Sequence, residues 1–150
     1  MFQISRKADY AIRGMVYLAL KPQGGVASIK DIAGFAEASR AFLAKIFQQF
    51  NKMGIVKSYR GTGGGFMLGR PAGDITLLDI VEAVDGPILG NTCLLGKGTC
   101  SRDTTCPVHP VWKDVRQELR ALLGRVTLER LAGAMPETPE PPGHHNKSQQ

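Results

Sequence analysis

Apolar residues recur at helical spacing along the first third of the chain, in three runs separated by turn residues. Ala8, Ala11, Ile12, Met15 and Ala19 form one stripe, on a helix that Ser5 caps and that runs to about Leu20. Lys21-Pro22-Gln23-Gly24-Gly25 ends it. Ser28 caps a second, short helix through Ile29, Ile32 and Ala33, with Asp31 in its first turn. Gly34 to Ala38 then reads as a turn. Ser39 caps a third helix that runs to Met53 and stops at Gly54. On a wheel at about 100° per residue, Phe42, Leu43, Ile46, Phe47, Phe50 and Met53 share one half. Arg40, Ala41, Ala44, Lys45, Gln48 and Lys52 share the other.

The pattern then changes to short extended runs. Ile55 to Tyr59 and Phe66 to Leu68 predict two strands, joined by Arg60-Gly61-Thr62-Gly63-Gly64-Gly65 as a flexible hairpin tip. Thr76 to Val84 is a further amphipathic helix built on Leu77, Ile80, Val81 and Val84, ending at Gly86-Pro87. After a polar, glycine-rich loop, Pro107 suits a first helical position. Val108, Val111, Trp112, Val115, Leu119, Leu122, Leu123 and Val126 follow as a long stripe. It is longer than one small winged domain can cover, so a partner helix or packing within the chain must take it. From about Met135 apolar residues disappear and disorder is expected. Helix, short helix, helix and two strands is the order of a winged helix-turn-helix. The fold class expected is mainly α with a small β-hairpin wing (α+β).

Composition and charge narrow the function. The chain has 150 residues, 43% of them hydrophobic, enough for one compact domain with an appendage. No apolar run approaches the roughly 18 residues of a membrane span, and charges interrupt the N-terminus early, so a cytoplasmic protein with no membrane contact is expected. Residues 1–70 hold eleven Lys/Arg against three acids; residues 71–150 hold eight against ten. That asymmetry points to a polyanion partner for the N-terminal part, and double-stranded DNA fits the fold. On the polar half of the third helix, Arg40 and Gln48 suit base edges, Lys45 and Lys52 suit phosphates, and Ala41 and Ala44 permit close approach, with Ser39 at the helix start. Tyr59, Arg60, Gly61, Thr62, Gly63 and Gly64 fit a wing whose Arg60 enters a minor groove. No Gly-Lys-Ser/Thr follows, which argues against a nucleotide P-loop. A solvent-facing helix and a plain hairpin remain the other readings of these features.

Three cysteines, Cys93, Cys100 and Cys106, crowd into one loop, and His109 follows at the spacing Cys-x6-Cys-x5-Cys-x2-His. A polar loop holding every thiol of the chain suits a soft metal or an iron–sulfur cluster. Zinc on three cysteines and a histidine is the rival reading, although zinc motifs usually place their thiols in closer pairs. A thiol redox switch is the third. An odd number of cysteines argues against a disulfide framework. There is no nucleophile elbow and no nucleotide signature, and the deaminase pattern is absent, so no enzyme is expected.

The run from Gly54 to Pro71, the segment Ile75 to Gly86, the three-cysteine loop and the opening Asp9-Tyr10-Ala11-Ile12-Arg13 together resemble the IscR/NsrR-type (Rrf) family. These are iron–sulfur winged-helix transcription regulators, and the match spans residues 1 to about 133. The resemblance implies a homodimer, most often a repressor, that reads a partly palindromic operator. It also implies dimerisation through the helix after the cysteines, with Val111, Trp112, Val115, Leu119 and Leu122 at the interface. By the same resemblance Cys93, Cys100 and Cys106 match the cluster ligands. His109 matches the fourth ligand of a [2Fe–2S] cluster, which is preferred, and Asp9 that of a [4Fe–4S] cluster. The organisation expected is a DNA-binding domain over 1–86, a cluster-binding loop over 87–107, dimerisation helices over 108–133 and a disordered tail over 134–150.

Overall fold

Five hydroxyl side chains set where helices begin. Ser5, Ser28, Ser39, Thr76 and Thr127 each accept a hydrogen bond from the main-chain N–H three residues on, at 3.0–3.2 Å. Each such cap stabilises its helix by about 1 kcal/mol. They start α1 (Arg6–Leu20), α2 (Ile29–Ala36), α3 (Arg40–Lys52), α4 (Leu77–Asp85) and α6 (Leu128–Gly133). At Thr76 the cap is reciprocal, since Asp79 accepts from the Thr76 N–H at 2.9 Å. The computed structural model describes residues 3–91, 94 and 96–136. Cys93 and most of the expected tail, residues 137–150, lie outside them.

Two helix edges differ from the pattern expected. α2 continues to Ala36, and the turn narrows to Glu37 in the left-handed region (φ 57°), whose N–H donates to the carbonyls of Ala33 and Gly34. The last long helix, α5, runs His109–Gly124. Pro110, not Pro107, takes the early-helix place where a missing N–H costs nothing. Pro107 instead sits in the turn closed by the His109 N–H on the Cys106 carbonyl at 3.2 Å.

α1, α2 and α3 enclose a core in which Met15, Ile32, Leu43, Ile46, Phe47 and Phe50 are fully buried. Gly14 lets α1 sit close: a Cβ there would lie 3.0 Å from Ile32 and Phe47. Ile75, Ile80 and Leu128 belong to the same core, so α6 packs back on this body. The hairpin β1 (Val56–Tyr59) and β2 (Gly65–Leu68) is antiparallel, with Val56 opposite Leu68 and Tyr59 opposite Gly65. Ala27 and Phe66 exchange two main-chain hydrogen bonds at 2.9 Å, which fastens the hairpin to the start of α2. Gly65 makes that approach possible, because a Cβ would stand 2.0 Å from the Ala27 carbonyl oxygen.

The chain leaves this body after α4 and returns beside the start of that helix. The Leu77 N–H donates to Val126 at 2.8 Å and the Leu128 N–H to Ile75 at 2.9 Å, around a Thr76–Thr127 bridge. Val81, Ile88 and Leu123 form a small second cluster where α4 and α5 meet. Among the described residues no helix is long and apolar enough to cross a membrane.

Candidate nucleic-acid interface and thiol loop

α3 divides as its sequence predicts. Leu43, Ile46, Phe47 and Phe50 are buried, while Arg40, Ala41, Lys45, Gln48 and Lys52 are exposed and Ala44 is half-buried. The Ser39 hydroxyl is occupied by its cap to Phe42. Two residues expected on the apolar half face outward: Phe42 is 38% exposed and Met53 54%. Phe42 lies at the edge of the core, edge-on to the Tyr10 ring with centroids 6.0 Å apart, and Met53 is already the C-cap. Beside this helix the hairpin presents Tyr59, Arg60, Gly61, Thr62 and Gly63 to solvent. The Gly64 N–H closes the tip on the Gly61 carbonyl at 2.9 Å, with Gly61 (φ 95°) and Gly63 (φ 75°) in backbone that side chains disfavour. Wing and helix are tied where the Ser58 N–H meets Asn51 Oδ1 at 3.2 Å. An exposed helix with cations and a glutamine, next to a basic hairpin, is a surface that can enter a major groove and reach the adjoining backbone.

The thiol loop is a series of one-turn units. The Asp103 N–H meets the Cys100 carbonyl at 3.2 Å, the Cys106 N–H meets Arg102 at 2.7 Å, and the His109 N–H meets Cys106 at 3.2 Å. Cys100 and Cys106 are free, half-buried thiols. His109 Nδ1 is enclosed and has no hydrogen-bond partner among the described residues. Two soft sulfur donors and an imidazole nitrogen left unsatisfied fit a cluster or a soft metal. Among the described residues no three of His, Cys, Asp and Glu gather as a cage. Asp9 stands apart on α1, paired with Arg13 at 2.9 Å. Arg13 also reaches the Ala36 carbonyl at 3.5 Å, so this pair braces the turn into α3.

α4 stands between the loop and α3. Glu82 accepts from the Ile88 N–H at 3.2 Å and from the Arg120 guanidinium on α5, fixing the start of the loop. The next residue, Ala83, accepts from Gln49 Nε2 on α3 at 2.7 Å. The far end of α4 is tied to α1, where Asp85 takes the Ser5 hydroxyl and the Ser5 N–H. Neither Gln49 nor Glu82 stood out in the sequence; their partners lie 34 and 38 residues away. On α5, Val111, Trp112, Val115 and Leu122 are exposed, 38–53% of each, whereas Leu119 turns inward toward Val81, Ile88 and Leu123.

Comparison with known proteins places this arrangement. The family model described as "Rrf2: Iron-dependent Transcriptional regulator" matches residues 4–134. The HTH-type transcriptional regulator IscR of Xenorhabdus nematophila is 34% identical over 129 residues, which is 86% of this chain and 78% of that protein. The structure of CymR, the global cysteine regulator of B. subtilis, superposes with a TM-score of 0.75 at 30% identity, over 91% of this chain and all of the other. T. potens IscR superposes at 0.69 with 26% identity, over 91% of this chain and 93% of that one.

Proposed function

The chain belongs to the Rrf2 family of transcriptional regulators and is a DNA-binding regulator rather than an enzyme; from that premise we propose that an iron–sulfur cluster on its thiol loop sets its affinity for an operator. In this reading residues 1–86 read DNA, 87–107 hold the cluster and α5 joins two copies into a homodimer. α3 of each copy enters a major groove with Arg40, Lys45, Gln48 and Lys52, and the wing around Arg60 follows the flanking backbone. The exposed side chains of Val111, Trp112, Val115 and Leu122 form an apolar face suited to a second copy of α5.

Cys100, Cys106 and His109 would hold the cluster together with Cys93. When bound, such a cluster supplies a redox-labile centre that responds to oxidation, nitric oxide or iron and cluster supply. The protein's own part is transmission. The observation that carries the proposal is that adjacent residues of α4 face both ways: Glu82 holds the loop and α5, and Ala83 holds Gln49 of the recognition helix. A shift of the loop displaces Glu82, and α4 passes the displacement to α3 and so to the fit of two half-sites. Repression is the expected sense of regulation.

The deciding experiment is anaerobic purification followed by visible absorption and operator titration of loaded and depleted protein. A brown protein whose operator affinity changes on depletion is expected. A colourless protein with stoichiometric zinc, or one whose affinity follows thiol oxidation alone, would move the sensing role to zinc or to the thiols. The likeness to a global cysteine regulator, together with two partly accessible thiols, supports the thiol reading as the second one.

A further inference from the structure

Between the thiol loop and α5 lies a cavity of about 330 Å³ that the DNA-facing surface does not use. Among the described residues four cationic side chains line it beside His109, Lys97 from the loop and Lys113, Arg116 and Arg120 from α5, against one carboxylate, Asp103. The three on α5 recur at helical spacing and share one face. Like charges gathered around a concavity repel one another and raise the local potential for anions. Little around the cavity offsets that field. Asp103 is engaged by the Gly98 N–H at 2.7 Å. Among the described residues only Arg120 of the four cations has a carboxylate partner, Glu82. Arg116 is fixed in place by donating to the Leu94 carbonyl at 2.7 Å, so part of the cavity wall is ordered before anything binds.

We propose that this cavity binds a small polyanion of carboxylate or phosphate type, and that the anion competes with Glu82 for the Arg120 guanidinium. The volume suits a small molecule. The planar fork of arginine pairs with carboxylate and phosphate oxygens alike, so an incoming anion and Glu82 are chemical equivalents at Arg120. Drawing Arg120 into the cavity leaves Glu82 with the Ile88 N–H alone and loosens the joint between α4 and α5. His109 also lines this cavity, so the site is tested on the cluster-free chain; only the consequence of binding for DNA rests on the regulatory reading above.

Calorimetric titration of the full-length, cluster-free chain with inorganic phosphate, and separately with citrate, against sodium chloride at equal ionic strength tests this without DNA present. Saturable binding of one anion per chain is expected from at least one of the two probes, and which of them binds separates the phosphate from the carboxylate source. Lys97→Glu with Lys113→Glu should weaken it at least about tenfold. Lys113→Gln alone, a milder change at an exposed side chain, should weaken it several-fold. Lys45→Glu with Lys52→Glu, on the other basic surface, should leave it unchanged. Glu82→Gln should tighten it several-fold by releasing Arg120. No saturable heat with either probe overturns the site, as does binding lost only in the Lys45/Lys52 variant. An affinity unmoved by Glu82→Gln overturns the competition.

Discussion

The side-chain amide of Gln49 donates to the main-chain carbonyl of Ala83 at 2.7 Å, joining α3 to the last turn of α4. Carbonyls in a final helical turn lack partners within their own helix, so Gln49 serves as a cap supplied from another element. Gln49→Ala should reduce stability by about 1 kcal/mol, the usual value of one such hydrogen bond. Its larger effect should be on regulation. Operator affinity, followed by fluorescence anisotropy, should differ less between loaded and depleted protein than in the unmodified chain. A variant that keeps the full difference would show that the signal takes another route.

His109 and Asp9 are separable as ligands. His109 Nδ1 is enclosed without a partner among the described residues, while Asp9 is engaged by Arg13. His109→Ala should alter the visible spectrum and shorten cluster retention under air. Asp9→Ala should keep the spectrum and lose less than about 1 kcal/mol of stability, because the Asp9–Arg13 pair is half-exposed. The reverse pattern would make Asp9 the ligand, reaching the loop from a second copy.

Gln48 and Arg60 should fail in different ways. Gln48→Ala is expected to cost about 1–3 kcal/mol and to relax base preference at one operator position. Arg60→Ala should weaken binding across sequences and lower the salt dependence by about one counterion. Competition against single-base operator variants at several salt concentrations reads both effects. Equal losses on random DNA from both changes would remove α3 from base recognition.

Val115→Asp places a charge in the exposed apolar face of α5, where Val115 is 42% exposed. Sedimentation should show a dimer dissociation constant raised by about a hundredfold or more, with operator binding falling in step. Trp112 is the chain's one tryptophan and lies in this face, so its emission should shift to the red as copies separate. A dimer undisturbed by Val115→Asp would place the interface elsewhere.

The helices and hairpin were legible in the sequence because their determinants are local. A cap hydroxyl acts three residues ahead, and the two halves of α3 follow from spacing within a single helix. The edges that moved, at Glu37 and Pro107, answer to left-handed backbone and to a turn from Cys106, and neither has a periodic signature. Phe42 was counted with the core because a wheel has no ends, whereas the core beneath α3 does. Gln49, Glu82 and Arg120 were illegible for another reason: each acts on a partner set by the fold rather than by spacing. The cavity lined by Lys113, Arg116 and Arg120 was equally unread, because the apolar stripe of the same helix drew the sequence reading.

The paired contacts of Leu77 with Val126 and of Ile75 with Leu128 make the intervening segment a closed handle. Its two ends are neighbours on the same patch of the body; α4 stays in the main core through Ile80 and Ala83, and α5 meets it through the small cluster of Val81, Ile88 and Leu123. Lengthening a closed loop costs little, about 0.6 kcal/mol per doubling. The fold therefore offers evolution an exchangeable cassette: one DNA-reading body could acquire a different chemical input by rewriting the handle beyond α4, provided the Glu82–Arg120 joint at its base is kept.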